Sequence, residues 1–481
     1  MSLVPTSNAF KENATGALQD KPLQEALGIA RHHSIQTRLN TVAKMPEFET
    51  LRDIGRDLKN HIIANLDTYL LQFEQSVTTR GGKVHWCPDG DSARAKVLEI
   101  CRSVNAKTVT KGKTMIGEEI GINDFLFANG IEPVETDLGE YIIQLRGETP
   151  SHIIGPALHV TKEQVEETFR EAHTDLDPAR NLEDPASLMA EAREKLRAGF
   201  LKADVGITGA NFLIADEGAT TIVTNEGNGD LTQTLPRIHI VLASIEKVVP
   251  SLKDAMTLLR ILARSATGQE QSVYTTFSSG PRRPTDLDGP EEFHVVLIDN
   301  GRSAYLGSDL EEMLRCIRCG ACLDHCPVYH SVGGHAYGWV YSGPIGSLLT
   351  PMLVGVENAK PLPNASTLCG RCESVCPVRI PIPKLLRNWR EREFARAITP
   401  QMERSGLWFW AFMAKRPLLY RLVTRIGARA LFNLAGQQGR LRSAPLAAGW
   451  TKHRDLPASQ GRTFHEQWKA RKSQAGKGAR S

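Results

Sequence analysis

Seven of the nine cysteines fall in two short runs, Cys316-x2-Cys319-x2-Cys322-x3-Cys326-Pro327 and Cys369-x2-Cys372-x3-Cys376-Pro377. The first run matches in full the spacing that wraps three thiolates round one iron–sulfur cluster and sends the fourth, just before proline, to a neighbouring one. Close-set thiols on successive backbone turns face one cube of iron and sulfide, and proline then turns the chain away. Rival chemistries fit less well. A structural zinc site usually draws on two separated Cys pairs, whereas one run here supplies four thiols without a gap. A disulfide framework is out of place in a long chain with no visible export signal.

The second run is one thiol short. A full motif would carry a cysteine three residues before Cys369, and that position is Ser366. If the pre-proline cysteines cross over, one ligand set is Cys316, Cys319, Cys322 and Cys376, and the other is Cys326, Cys369 and Cys372. Two [4Fe–4S] clusters would need one ligand more. Three explanations stay open at this level. Ser366 ligates through its oxygen; the site is open or filled by a partner; or the second cluster is [3Fe–4S]. Ser366 as an ordinary loop residue is the plain alternative.

With 481 residues the chain is long enough for two or three domains. The composition, 41% hydrophobic and 23% charged, belongs to an ordinary globular protein rather than a disordered or membrane-embedded one. The N-terminus lacks a basic segment followed by an apolar core. The longest apolar candidate span, Leu407 to Ala414, is far short of a bilayer. A cytoplasmic location is the expectation. Charge is uneven. From residue 401 onward there are 16 Lys and Arg against 3 Asp and Glu, a net of +13, which leaves the rest at −9. That asymmetry suggests an electrostatic docking segment.

Four regions are expected. Residues 1–80 read as helical, with Leu51, Ile54, Leu58, Ile62, Leu66 and Leu70 at helical spacing and Gly81-Gly82 as the stop. Residues 81–300 alternate short apolar runs with amphipathic segments, an α/β pattern. Expected strands are 83–87, 108–110, 133–136, 141–145, 210–215, 220–224, 238–242 and 294–298. Expected helices are 91–104, capped by Asp91 or Ser92, and 118–129. The nearby strands at 210–224 suggest a partly mixed sheet. Residues 301–390 form the cluster module, and the Gly- and aromatic-rich insert between Cys326 and Cys369 folds over the clusters or faces another subunit. Residues 391–481 form a basic helical extension, broken at Pro417. Its segment 401–434 reads as a helix packing on the cluster module, a partner-binding helix or a membrane-surface contact.

Other signals are weak. Thr110-Lys-Gly-Lys-Thr114 lacks the upstream glycine of a phosphate loop, and Gly227-Asn-Gly229 lacks the third glycine of a dinucleotide loop. Glu217, Asn225 and Glu226 fall on a polar stretch suited either to a small-molecule site or to hairpin turns. His85, Cys87 and Cys101 have no ligand spacing. His330 and His335 are candidates for hydrogen bonds to cluster sulfides. No hydrolytic motif is present, and no catalytic residue can be named.

Taken together, CIRCGACLDHCPVY, GGHAYG, GPIGSLLTP and STLCGRCESVCPV resemble the lactate utilization protein B family (LutB/YkgF). TMIGEEIGIN, TDLGEYIIQL and GANFLIADEGATTIVTNEGN resemble its LUD domain. The resemblance implies a LUD domain of the NagB/RpiA and CoA-transferase-like α/β type, then a two-cluster ferredoxin-type domain. It also implies two partner subunits, one cysteine-rich and one LUD-only, in a complex that oxidises L-lactate to pyruvate. On that reading the chain carries electrons. Its alternatives are a catalytic 2-hydroxy-acid dehydrogenase subunit with substrate in the LUD domain, and a redox-sensing scaffold. The electron acceptor is not implied.

Overall fold

A computed structural model describes residues 4–443, 448–451 and 454–478. The chain divides into two compact units, Met1–Glu393 and Phe394–Ser481. The first opens with the helices Phe10–Ala17, Lys21–Ala43, Phe48–Ala64 and Leu66–Thr79. In the third of these the buried stripe is Leu51, Gly55, Lys59 and Ile62, while Ile54 faces solvent. Periodicity of apolar residues alone misplaces Ile54. Gly55 lies on the inner face because a Cβ there would come within 2.9 Å of Ile261. Lys59 is inside because its ammonium donates to the Glu246 carbonyl.

Ten strands follow: β1 Lys83–Cys87, β2 Thr108–Lys111, β3 Glu132–Glu135, β4 Val205–Gly209, β5 Phe212–Ile214, β6 Ala219–Thr224, β7 Ile238–Ser244, β8 Val248–Val249, β9 Tyr274–Ser278 and β10 Glu292–Ile298. Six of them form a wholly parallel sheet in the order β1-β10-β7-β4-β2-β3. Its central strands are buried on both faces; β4 and β7 are buried throughout. The remaining four make a separate sheet, β8-β5-β6-β9, with antiparallel β5–β6 and β6–β9 pairs. The mixed character expected near 210–224 thus belongs to a second sheet. The strand expected at 210–215 is the shorter β5, and β4, ending at Gly209, precedes it.

Three local expectations are corrected. Tyr141–Leu145 is helical, inside Leu138–Arg146. Its β-branched pair reads as a strand, but Asp137 caps the segment by accepting the Gly139 and Glu140 N–H groups. The cap of Gly90–Ser103 is Asp89, paired with Ser92 in a capping box. The helix expected at 118–129 is two, Met115–Glu119 and Ile122–Ala128, parted at Gly121, whose φ is 61°.

The order in which strands are added reverses at β2. From there the chain moves outward to β3, and β4 then returns to the other edge of β2. The crevice beyond the carboxyl ends of β2 and β4 is therefore a topological switch point, where open α/β sheets bind ligands. The cysteine module packs in the same unit, and its insert is interior. Tyr329, Tyr337 and Tyr341 are fully buried, as is the helix Gly343–Val354 from Gly343 to Met352.

In the second unit, helices Gln401–Ala414 and Pro417–Ala435 are parted before Pro417. Arg425 pairs with Glu466 at 2.7 Å. No described helix is long and apolar enough to cross a membrane.

Candidate iron–sulfur site

The two cysteine runs adopt the same backbone course. Arg318 and Leu368, each just before a cysteine, have φ of 60° and 52°, and Gly320 and Gly370, each just after it, have 74° and 81°. Left-handed non-glycine residues cost roughly 1–3 kcal/mol each, so the repeated turn is a requirement rather than an accident of packing. It curls the chain until amides face the ligand atoms. Arg318 N–H donates to Cys316 Sγ at 3.4 Å, Tyr329 N–H to Cys326 Sγ at 3.5 Å and Ile380 N–H to Cys376 Sγ at 3.3 Å. In the second run Leu368 N–H donates to Ser366 Oγ at 3.1 Å. Ser366 thus holds in its run the place that Cys316 holds in the first.

Cys316, Cys319, Cys322 and Cys376 line one small cavity, closed by Ile153, Ile345 and Ile380 among others. The crossed set is thereby brought together from both runs. Cys326, Cys369 and Cys372 are near enough to feel one another's charge. Cys369 is exposed while Cys326 and Cys372 are buried. Burial pushes the Cys372 thiol up to about 12 and the Cys376 thiol up to about 11. Cys369 is instead drawn down, chiefly by the Arg371 backbone N–H. Among the described residues no three His, Cys, Asp or Glu side chains converge as ligands of a single metal ion do. Thiolates of an iron–sulfur cube need not converge, since each holds its own iron. Amide donors to sulfur, an apolar wall and four grouped thiols fit such a cluster.

Arginines fasten this module to the helices and the sheet. Arg52 donates to the Cys376 carbonyl at 2.8 and 3.0 Å and to Ser374 at 2.8 Å. Glu246, just past β7, pairs with Arg302 at 3.2 Å and with Arg318 at 3.3 Å. Burial alone would raise its carboxyl, but Arg302 and Arg318 hold it down to about 2. Arg302 reaches on to Glu119 at 2.6 Å, and Tyr341 donates to the same carboxylate at 2.7 Å. This buried chain ties the sheet, the first cysteine run and the insert together.

Three family models match this chain: a LUD domain over residues 70–298, a 4Fe-4S dicluster domain over 312–380, and the C-terminal region of lactate utilisation protein B over 371–473. Lactate utilization protein B of Bacillus licheniformis is 39% identical over 479 residues, covering 99% of both chains. The chain belongs to the lactate utilization protein B family. The protein of the same name from Bacillus subtilis is 38% identical, with 97% of each chain covered. An Escherichia coli relative named uncharacterized electron transport protein YkgF is 37% identical over 475 residues, covering 98% of this chain and 99% of its own.

Among the other sequence candidates in this family member, Cys87 and Cys101 are buried, and burial pushes Cys101 up to about 12. His85 meets His294 across β1 and β10 at 3.0 Å. His330 and His335 bond through Nε2 to the carbonyls of Asp324 and Thr149 at 2.6 and 2.7 Å, and the Nδ1 of His330 is buried without a protein partner. Glu217 is engaged by Arg80 at 2.6 Å. Asn225 and Glu226 instead line a cavity of about 390 Å³ that also receives Lys113 and Arg318. A larger cavity, about 770 Å³, is lined by none of the seven cysteines. Sequence reasoning missed Arg302, Arg318, Glu119 and Glu246. Their spacing has no motif, and only the tertiary fold brings them together through their ion pairs.

Proposed function

We propose that this chain is the iron–sulfur electron-transfer subunit of an assembly oxidising L-lactate to pyruvate. The observation that carries the reading is the repeated, crossed arrangement of the two cysteine runs, with amides aimed at sulfur. The names of the full-length relatives supply the substrate. The residues proposed to hold the first [4Fe–4S] cluster are Cys316, Cys319, Cys322 and Cys376. Cys326, Cys369 and Cys372 hold the second, with Ser366 Oγ as its remaining ligand. Conversion of lactate to pyruvate releases two electrons and two protons, and a pair of one-electron clusters accepts the electrons in succession. The exposure of Cys369 makes the second cluster the more accessible to a redox partner.

In this reading residues 1–80 are a helical collar and 81–300 a LUD domain of the NagB/RpiA and CoA-transferase-like class. Residues 301–390 are the two-cluster module and 391–481 a basic extension. The partners are a cysteine-rich subunit and a LUD-only subunit, and the setting is cytoplasmic. The extension rests on an anionic membrane surface: Trp408, Phe409 and Trp410 are 67%, 57% and 60% exposed beside a strongly basic composition. Replacing Cys319 with Ala tests the function. Loss of the first cluster's signal and of lactate-dependent dye reduction by the assembled complex is expected. Unchanged turnover would refute an electron-carrying role.

A further inference from the structure

The cavity beyond β2 and β4 has no role in holding the clusters, yet it shares Arg318 and Ile153 with the cavity that four cysteines line. We propose that it binds a small carboxylate of the 2-hydroxy or 2-oxo acid class and couples that anion's charge to the first cluster. The assignment of acid class rests on the function proposed above; the site itself rests on four observations.

The cavity lies at the switch point of the parallel sheet, the place where strand order leaves a crevice. Its volume of about 390 Å³ is near the lower end for small-molecule sites, enough for a short acid and ordered water. Its cations come from three separate segments: Lys113 after β2, Lys247 after β7 and Arg318 from the cysteine loop. Lys113 and Lys247 are anchored by donating to the carbonyls of Ile154 and Ala210, so each ammonium keeps further protons to donate. Asn211 also lines the cavity; its Oδ1 accepts the Val223 N–H at 2.9 Å, leaving the amide protons for a ligand oxygen. Finally, the Arg318 side chain is 10% exposed, and its Nη1 is buried without a hydrogen-bond partner. A buried guanidinium nitrogen left unpaired is costly, and an anion would satisfy it.

Arg318 is the coupling element. Its backbone N–H donates to Cys316 Sγ, while its guanidinium pairs with Glu246 and lies over the Tyr341 ring at 4.8 Å. A carboxylate drawn to that guanidinium neutralises positive charge that otherwise favours an electron on the first cluster. Binding therefore disfavours reduction, and by linkage reduction weakens binding by the same factor. The site then releases its acid as the cluster fills with electrons.

The test uses the cluster-loaded full chain under anaerobic conditions. Calorimetry measures binding of pyruvate, L-lactate and, as a control anion, inorganic phosphate to oxidised and dithionite-reduced protein. Saturable binding of the two organic acids is expected, with phosphate weaker and the reduced form weaker by about ten-fold. Lys247→Met should abolish binding. Asn211→Asp, which keeps the acceptor to Val223 but adds negative charge, should weaken it without lowering iron content. No saturable binding, phosphate binding as tightly as the organic acids, or binding indifferent to both substitutions would overturn the proposal. Loaded protein that supports lactate-dependent reduction in the complex yet binds no acid refutes this site alone. A chain without clusters refutes the electron-transfer reading instead.

Discussion

Ser366 and Cys316 accept the same i+2 amide in the same left-handed turn, at 3.1 and 3.4 Å. That shared turn puts the Ser366 oxygen where the first run puts sulfur, which supports its proposed role as a ligand. Ser366→Cys should keep the iron content and change the second cluster's EPR signal and potential. Ser366→Ala should convert that cluster to the [3Fe–4S] form. Wild-type spectra in both variants would make Ser366 a loop residue. A second residue-scale expectation concerns Arg302, fully buried between Glu119 and Glu246. Arg302→Met leaves the buried Glu119 carboxylate without its cation, while Glu246 keeps Arg318. Removing one partner of a buried pair costs about 3–5 kcal/mol, so denaturant titration should show a loss of that order. A change within 0.5 kcal/mol, the usual range for a surface site, would deny the network its role. The seven cysteines were legible because their spacing encodes local geometry. Arg302 and Arg318 were not, because their partners lie far along the chain and only tertiary folding brings them together.

At the scale of elements, most strands were legible from short β-branched runs, and β7 and β10 stand out as long, mostly apolar segments. The segment at 141–145 was not, because its residues favour a strand while the preceding Asp137 cap decides for a helix. β4 was missed because Val205–Gly209 carries two glycines. One of them, Gly206, is required: a Cβ there would sit 1.8 Å from the Thr232 carbonyl oxygen. The break before Pro417 follows directly from proline chemistry. The helix it closes, Gln401–Ala414, exposes Leu407, Trp408, Phe409 and Trp410, an arrangement suited to an interfacial position rather than a span. The full chain should therefore sediment with phosphatidylserine-containing vesicles and not with pure phosphatidylcholine. Trp408→Ser with Trp410→Ser should abolish this, and rising salt should weaken it. Equal behaviour with both vesicle types would rule out the membrane contact and leave these exposed aromatic residues for a protein partner.

At the scale of the molecule, several histidines are held neutral in the interior. His239 is 1% exposed in β7, meets Thr208 Oγ1 at 2.8 Å, and is driven by burial, then by His294, down to about 3. A histidine whose folded pKa is depressed supports the fold above its unfolded value near 6.5 and loses that support as pH falls toward 3. At pH 5 its share of the loss is about 2 kcal/mol. His239→Gln should therefore flatten the acid limb of the stability profile, and an unchanged limb would contradict the assignment. The order of an α/β LUD region before an iron–sulfur region was legible from the apolar patterns and the cysteines. A covering insert was one of two readings of the Gly- and aromatic-rich stretch; its packing at Gly334 against the Ser151 carbonyl, 1.7 Å from where a Cβ would sit, was not legible, because GGHAYG reads as a loop.

Anaerobic iron and sulfide analysis of the purified chain, with EPR before and after dithionite, decides whether it carries electrons. About eight irons per chain and two interacting reduced [4Fe–4S] signals are expected. About seven irons with an oxidised [3Fe–4S] signal would contradict the role given to Ser366. Zinc in place of iron would contradict the electron-transfer function itself.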